Sequence, residues 1–492
     1  MKLLTLLLTH WLFSLQSTDS LTLKWQTQVN RRLDSLSNSP FLQTGMVGMS
    51  VKSAKTGKSV ISFQAKKSLA PASTMKLLST ATALMTLGDS FMYQTTLEYS
   101  GSIVDSVLNG NVYIKGNGDP SLGSWRFKNQ PDYKQLLDAW AMKVKALGIK
   151  KINGRIMGDA SFFNANVIPN TWIWGDMGNY YGAGCYGLNI NENLFWVTFQ
   201  PKGYMESAGF VKTAPDLPYL TKINKVLTDR SGTGDQVMIY STPYQDAILM
   251  EGFVPQGSSF SVKGSIPDPA FYMAFALGKK CEELGIQIQE GPTSTLELDK
   301  RYLTHSKPSG TMTIATQNSP SLKELVKACN YQSINLYAEA FLKTPSVLLN
   351  MGNGTSDAVK GFEQIWRAKG LNMQGLKMKD GSGLSPSNAV TTDIMTDVLS
   401  IMTTEKSFNS YYESIPVVGV SGTVANLAKK SKAAGNIHAK SGSIEGVRAY
   451  GGYFTASNGE LYCFSIIFNK YDSSYGNATK ELEKLMIMLT DL

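Results

Sequence analysis

Alternating apolar and polar residues over Gly45–Val51 and again over Ser59–Phe63 flank the turn-forming Lys55-Thr56-Gly57-Lys58 and predict a β-hairpin. From Ser73 the period lengthens. Met75, Leu77, Leu78, Ala81, Leu84, Met85 and Leu87 recur at helical spacing and stop at Gly88, so a helix should open at Ser73. Between Tyr93 and Val262 the texture becomes strand-rich, with short alternating runs at Thr95–Tyr99, Val112–Lys115 and Val237–Tyr240 and one helix at Tyr133–Leu147. Helical patterning returns over Asp268–Leu284, Ser321–Lys343 and Thr355–Lys369. Two further strands, Arg448–Thr455 and Leu461–Phe468, enclose the turn Ser457-Asn458-Gly459, and a closing helix carries Leu482, Leu485, Met486 and Leu489 on one stripe. Strand regions at both ends of the chain around a helical middle imply one sheet built from both ends, with the strand-rich middle inserted into it.

The 492 residues suggest about three domains, and 42% hydrophobic with 17% charged residues is globular composition. A net charge of +9 suits an anionic polymer or membrane surface and is equally ordinary for a soluble protein. No dense basic run with interleaved aromatics argues for nucleic acid. Met1-Lys2 followed by the mostly apolar Leu3–Leu15 and polar Gln16–Ser20 reads as an export signal over 1–20, with an uncleaved anchor as the alternative. No later run has about 18 uninterrupted apolar residues, so no integral span is expected once the signal is removed. Localisation should therefore be the periplasm or cell envelope. Cys185, Cys281, Cys329 and Cys463 fit no metal-site spacing and are expected as buried thiols. With His10 in the signal, a Ser-His-Asp enzyme would have to use His305 or His438, and no Gly-x-Ser-x-Gly elbow exists to receive either.

A lysine base is the better candidate. Ser73-Thr74-Met75-Lys76 is the chain's only Ser-x-x-Lys, and on a helix the three-residue offset sets hydroxyl and amine on one face. The amine can then take the hydroxyl's proton, without which serine is a poor nucleophile. Alone, the motif is more often a solvated helix face than a site. Its meaning depends on two partners in order: Ser333-Ile334-Asn335, and Lys440-Ser441-Gly442-Ser443 late in the chain. Lys55-Thr56-Gly57 matches the third element but precedes Ser73 in a hairpin turn. Ser407-Phe408-Asn409 matches the second but follows a helix end with no helix start expected after it.

Ser-x-x-Lys, Ser-x-Asn and Lys-[Thr/Ser]-Gly in this order form the signature of penicillin-binding proteins and serine β-lactamases. The 260 residues from Ser73 to Ser333 are far more than a simple β-lactamase has. The chain resembles the class C low-molecular-mass penicillin-binding proteins, the D-alanyl-D-alanine carboxypeptidase/endopeptidase family with a large insert between the first two motifs. Gly116–Leu122, Gly154–Phe163, Asp380–Ser385 and Val418–Thr423 match that family's pattern too, so the resemblance covers nearly everything after Thr44. It departs at Ile334, where the family usually has Asp, and at Ser441, where it usually has Thr.

The resemblance implies an α/β (α+β) fold, a β-lactamase/transpeptidase-like antiparallel sheet flanked by helices with a large strand-rich insertion. Residues 21–92 and 263–492 would form the D,D-peptidase domain and 93–262 the insert, with room for two nested subdomains. It implies a Ser73 nucleophile, Lys76 as general base and Ser333 as proton relay. Asn335 would hold the substrate amide, and Lys440 with Ser441 and Gly442 the terminal carboxylate. The backbone N–H groups of Ser73 and Ser443 would form the oxyanion hole, and Asp380 and Ser382 would line the site. Partners would be peptidoglycan stem peptides, with β-lactam antibiotics as covalent inhibitors; no metal or organic cofactor is implied. A serine β-lactamase or esterase of the same superfamily, and a non-catalytic wall-binding protein, are the alternatives.

Overall fold

Strand alternation decides the architecture of the catalytic-motif region. In the computed structural model, which describes residues 22–303 and 310–492, Met46–Ser53 and Ser59–Phe63 form the expected antiparallel hairpin. Met46–Ser53 also pairs along its length with Leu461–Asn469, near the other end of the chain. The complete antiparallel sheet runs His438–Ile444, Val447–Thr455, Leu461–Asn469, Met46–Ser53, Ser59–Phe63. Val47, Met49 and Val51 point to one face, into a core with Leu482, Leu485, Met486 and Leu489 of the helix Tyr475–Leu489. Trp25, Val29, Leu33 and Leu36 join that core from a helix over 22–37 that the sequence reading did not anticipate. The alternate residues meet the helix Thr392–Met402 on the other face: Ser50 Oγ lies 2.9 Å from Thr396 Oγ1, and the Lys52 ammonium pairs with Asp393 and Asp397. The sheet is thus flanked by helices on both faces, as the resemblance implies. Residues up to Gly88, Val326–Ser333 and Phe362–Leu492 make up this first unit. The expected export segment 1–20 and His305 lie outside the described residues.

The second unit comprises Asp89–Leu325 and Ile334–Gly361. Its largest sheet runs Thr293–Ser294, Ile156–Asp159, Val112–Lys115, Gln94–Tyr99, Met312–Asn318, and two three-stranded sheets lie within 194–265. The helix Tyr133–Ala146 opens on a capping box, Asp132 accepting from Gln135 N while the Gln135 side chain accepts from Asp132 N, and packs its apolar stripe into the core. This unit is larger than the expected 93–262 insert. Thr293–Ser294 pairs with Ile156–Asp159 and Met312–Asn318 with Gln94–Tyr99, so 263–325 is tied to the insert by long-range pairing that local periodicity does not register.

A second difference concerns Ser321–Lys343, expected as one helix. It is two, Leu322–Gln332 and Asn335–Leu348, broken where Ser333 adopts φ +58°. The apolar period runs through the break because one left-handed residue rotates the chain without changing its hydropathy. The border between the two units falls on the same bond, Ser333 to Ile334.

The first unit's core makes a direct stability prediction. Phe464 is fully buried in the sheet's central strand against the terminal helices. Phe464→Ala should cost about 3–5 kcal/mol in chemical denaturation; a loss below about 1 kcal/mol would mean that this face is not the core.

Candidate active site

Ser73 is presented by a tight approach and a strained residue. Asn469 clamps the chain just before it: Asn469 Nδ2 donates to Ala70 O (3.0 Å) and Oδ1 accepts from Ala70 N (2.8 Å). Ala72 then takes φ +47°, Thr74 Oγ1 donates back to Pro71 O (2.7 Å), and a 3₁₀ turn over Ala72–Met75 leads into the helix Lys76–Leu87. Ser73 stays half-buried, whereas Lys76 is fully buried. The Lys76 ammonium nitrogen lies 2.9 Å from Ser73 Oγ and donates to Ser382 O at 2.7 Å. The three-residue spacing thus brings hydroxyl and amine into contact.

The Asp380–Ser385 loop is built around its own carboxylate. Asp380 is fully buried and accepts from Gly383 N (2.7 Å), Ser385 N (2.6 Å) and Asn388 Nδ2 (2.8 Å). Two loop carbonyls then face the helix Lys76–Leu87, Gly381 O accepting from Ser79 Oγ (2.9 Å) and Ser382 O from Lys76. Of the two loop residues expected to line the site, Asp380 shapes the loop and Ser382 reaches Lys76 through its backbone.

Lys440, Ser441, Gly442 and Ser443 lie in the strand His438–Ile444, at the edge of the sheet. An ideal Cβ on residue 442 would fall 2.5 Å from Pro71 O, 2.9 Å from Thr74 N and 3.1 Å from Ser73 N, so only glycine lets this strand reach the Ser73 turn. Ser443 is exposed beyond it. Lys440 is fully buried and donates to Ser333 Oγ (2.9 Å) and Ser441 O (2.8 Å). Burial above all, then the charge of Lys76, holds its pKa well below that of an ordinary lysine, with an opposing pull from Cys329 and a smaller lowering by Arg448. Ser441 Oγ lies 2.7 Å from Thr423 Oγ1, a residue that no spacing rule had marked except as part of the Val418–Thr423 match.

Five motif residues therefore lie together in the first unit as two serine–lysine pairs, Ser73–Lys76 and Ser333–Lys440, beside Ser441. Asn335 opens a helix of the second unit, where its Nδ2 donates to Tyr181 O at 2.8 Å. Tyr181 was not expected, because a backbone acceptor leaves no side-chain signature.

The decoys separate on geometry. Lys55-Thr56-Gly57 occupies the hairpin turn. Ser407 does precede a helix, Phe408–Ser414, contrary to expectation; seven residues with weak amphipathic spacing give little periodic signal. His438 stacks on Tyr412, ring centroids 4.0 Å apart, and burial lowers its pKa, so it serves the core. All four cysteines are buried free thiols. Among the described residues no helix is long and apolar enough to cross a membrane.

The sequence profile described as the D-Ala-D-Ala carboxypeptidase 3 (S13) family matches residues 29–490. The chain is similar to a D-alanyl-D-alanine carboxypeptidase of Actinomadura sp. (strain R39), 26% identical over 456 residues, covering 90% of this chain and 81% of that one. D-alanyl-D-alanine carboxypeptidase DacB of Haemophilus influenzae is 25% identical over 437 residues, covering 87% and 86%. Among solved structures, penicillin binding protein 4 (dacB) of Haemophilus influenzae superposes with a TM-score of 0.76 at 22% identity, covering 93% of this chain and 97% of that one. The same protein complexed with a β-lactam gives 0.72 at 21%, covering 92% and 97%. At these identities the structural likeness speaks for the fold.

Two predictions follow from the geometry. Gly442→Ala pushes the edge strand off the Ser73 turn, so the folded variant should react with an acylating β-lactam about 100-fold more slowly; an unchanged rate would show that the close approach is dispensable. Lys440 sets a pH dependence of stability. Between its depressed folded pKa and the unfolded 10.5, the unfolded chain holds a proton that the folded chain has released, so this group makes stability rise with pH. Denaturation at pH 7 and about pH 9 should show a smaller rise in Lys440→Met than in the parent, and equal slopes would refute the assignment.

Proposed function

The chain belongs to the D-Ala-D-Ala carboxypeptidase 3 (S13) family, and from that membership we propose that Ser73 is the residue acylated when this serine D,D-peptidase cleaves the stem peptides of peptidoglycan. The observation carrying the assignment is the 2.9 Å contact of Ser73 Oγ with the buried Lys76 amine, next to an edge strand that reaches Ser73 at Gly442. Lys76, in its neutral form, takes the Ser73 proton as the oxygen attacks the penultimate D-alanine carbonyl. The backbone N–H groups of Ser73 and Ser443 stabilise the resulting oxyanion. On collapse the C–N bond breaks, and Ser333 relays a proton to the departing amine. Water then attacks the Ser73 ester, releases the shortened peptide and restores the hydroxyl. The leaving amine belongs to a free D-alanine in the carboxypeptidase reaction and to a second stem peptide in the endopeptidase reaction, so both use the same steps.

Lys440 and Ser441 hold the terminal carboxylate, and Asn335 holds the substrate amide. Lys440 is buried with no carboxylate partner among the described residues, so an arriving carboxylate supplies negative charge and favours its protonated form. Substrate binding and protonation are thereby coupled. Ser441 keeps the hydroxyl that the family's threonine would supply. β-Lactams are trapped as the same Ser73 ester, a reading supported by the β-lactam complex of the Haemophilus influenzae protein. No step needs a metal or organic cofactor. The site of action is the cell envelope, where cross-linked peptide exists, and export follows the expected 1–20 signal.

Labelling with fluorescent penicillin, with the adduct mapped by peptide mass, tests the assignment. A stable adduct on Ser73, found in the envelope fraction of cells, and D-alanine release from a pentapeptide are expected. Lys76→Ala should fold and acylate about 10²–10⁴-fold more slowly. Folded protein without a Ser73 adduct would sink the proposal, near-normal labelling of Lys76→Ala would remove Lys76 as base, and rapid release of hydrolysed drug would mark a β-lactamase instead.

A further inference from the structure

Three consecutive residues of the second unit, Asn191, Glu192 and Asn193, hold φ of +51°, +55° and +54°. Asparagine tolerates this left-handed backbone, whereas a glutamate pays for it in strain. All three are buried, and their side chains have defined partners. Asn191 Nδ2 donates to Leu194 O at 2.9 Å; Asn193 Oδ1 accepts from Ile190 N at 3.1 Å. Glu192 Oε1 alone accepts from Arg126 Nε (2.6 Å), Ser124 Oγ (2.7 Å) and the Tyr337 hydroxyl (3.1 Å).

A buried carboxylate paired with arginine is weak support for stability, because apolar residues of similar volume often serve as well. The destination of these bonds is more informative. Tyr337 is two residues beyond Asn335 in the first turn of its helix. Asn193 Nδ2 donates at 2.9 Å to Gly184 O, three residues beyond Tyr181, whose carbonyl accepts from Asn335. Adjacent residues of the turn therefore grip both sides of the Asn335–Tyr181 hydrogen bond, Glu192 on the helix side and Asn193 on the loop side. Arg126 and Ser124 hold the Glu192 carboxylate in its buried position and aimed at Tyr337.

We propose that the left-handed turn Asn191–Asn193 is a positioning device for the Asn335 carboxamide, with Glu192 acting through Tyr337 and Asn193 through the Gly184 carbonyl. The strained backbone delivers two neighbouring side chains in the divergent directions that the two sides of the bond require. The inference rests on the role given to Asn335 above, that of holding the substrate amide.

The test compares acylation of Ser73 by benzylpenicillin with acylation by a penam lacking the 6-acylamino group, which offers Asn335 no amide. The parent should prefer benzylpenicillin. Tyr337→Phe, which loses only the hydroxyl, should cut that preference about tenfold, as should Glu192→Gln. Asn335→Ala should lose the same preference, and adding Tyr337→Phe to it should change nothing further. A device serving only the fold would slow both penams equally, and that outcome, or additive losses in the double variant, overturns the proposal. If Glu192→Gln does not fold, Tyr337→Phe decides alone. Normal parental labelling with an unchanged preference in Tyr337→Phe defeats this inference only, whereas absence of parental labelling defeats the Ser73 assignment.

Discussion

The close approach of the Gly442 backbone to the turn Pro71–Thr74 is the contact on which the rest of the first unit turns. It requires a sheet edge at His438–Ile444 and a helix start at Ser73 to meet with no side chain between them. The sheet provides the edge by pairing strands from both ends of the chain, which makes the termini part of the catalytic support. The Asn469 clamp on Ala70 fixes the entrance to the Ser73 turn from that same sheet. Register in the sheet is therefore register of the site: a one-residue slip of the edge strand would exchange Gly442 for a residue whose Cβ cannot fit.

The approach has an electrostatic consequence. It leaves Lys76 and Lys440 both fully buried, each bonded to a serine hydroxyl. Burial works against charge on Lys440, and the Lys76 cation adds to it. Burying the Lys440 amine in this way costs stability. In the role proposed for Lys440, a bound carboxylate would supply the negative charge that its buried position lacks.

The sequence was most legible where chemistry is local. The hairpin around Lys55, the nucleophile helix, the closing helix and the ordered motifs at Ser73, Ser333 and Lys440 follow from period, spacing and residue type, and the structure brings the two serine–lysine pairs together. Long-range pairing was not legible: Met312–Asn318 joins Gln94–Tyr99 across more than two hundred residues, and nothing in either segment names the other. The edge strand itself was obscured, since Lys440-Ser441-Gly442-Ser443 lacks the β-branched residues that advertise a strand. Backbone acceptors such as Ser382 O and Tyr181 O left no trace, because any residue could supply them.

What most escapes periodicity is the left-handed residue that is not glycine. Ala72 precedes Ser73, the proposed nucleophile, Ser333 is the proposed relay, and Glu192 accepts from Tyr337 in the helix of Asn335, each of the three at positive φ. Glycine would adopt these angles without strain, but at 333 and 192 it would remove the hydroxyl and the carboxylate that the geometry exists to aim. The strain at those two positions is then the consequence of needing a reversed backbone and a functional side chain at one residue. Such strain persists only where neighbouring bonds over-determine the conformation. At Glu192 those bonds are the three donors on Oε1 and the asparagines on either side, and at Ser333 the bond from the Lys440 amine. The rigid sheet and buried networks of each unit are what make these conformations affordable, so the stability of the fold and the placement of its reactive groups have the same physical source.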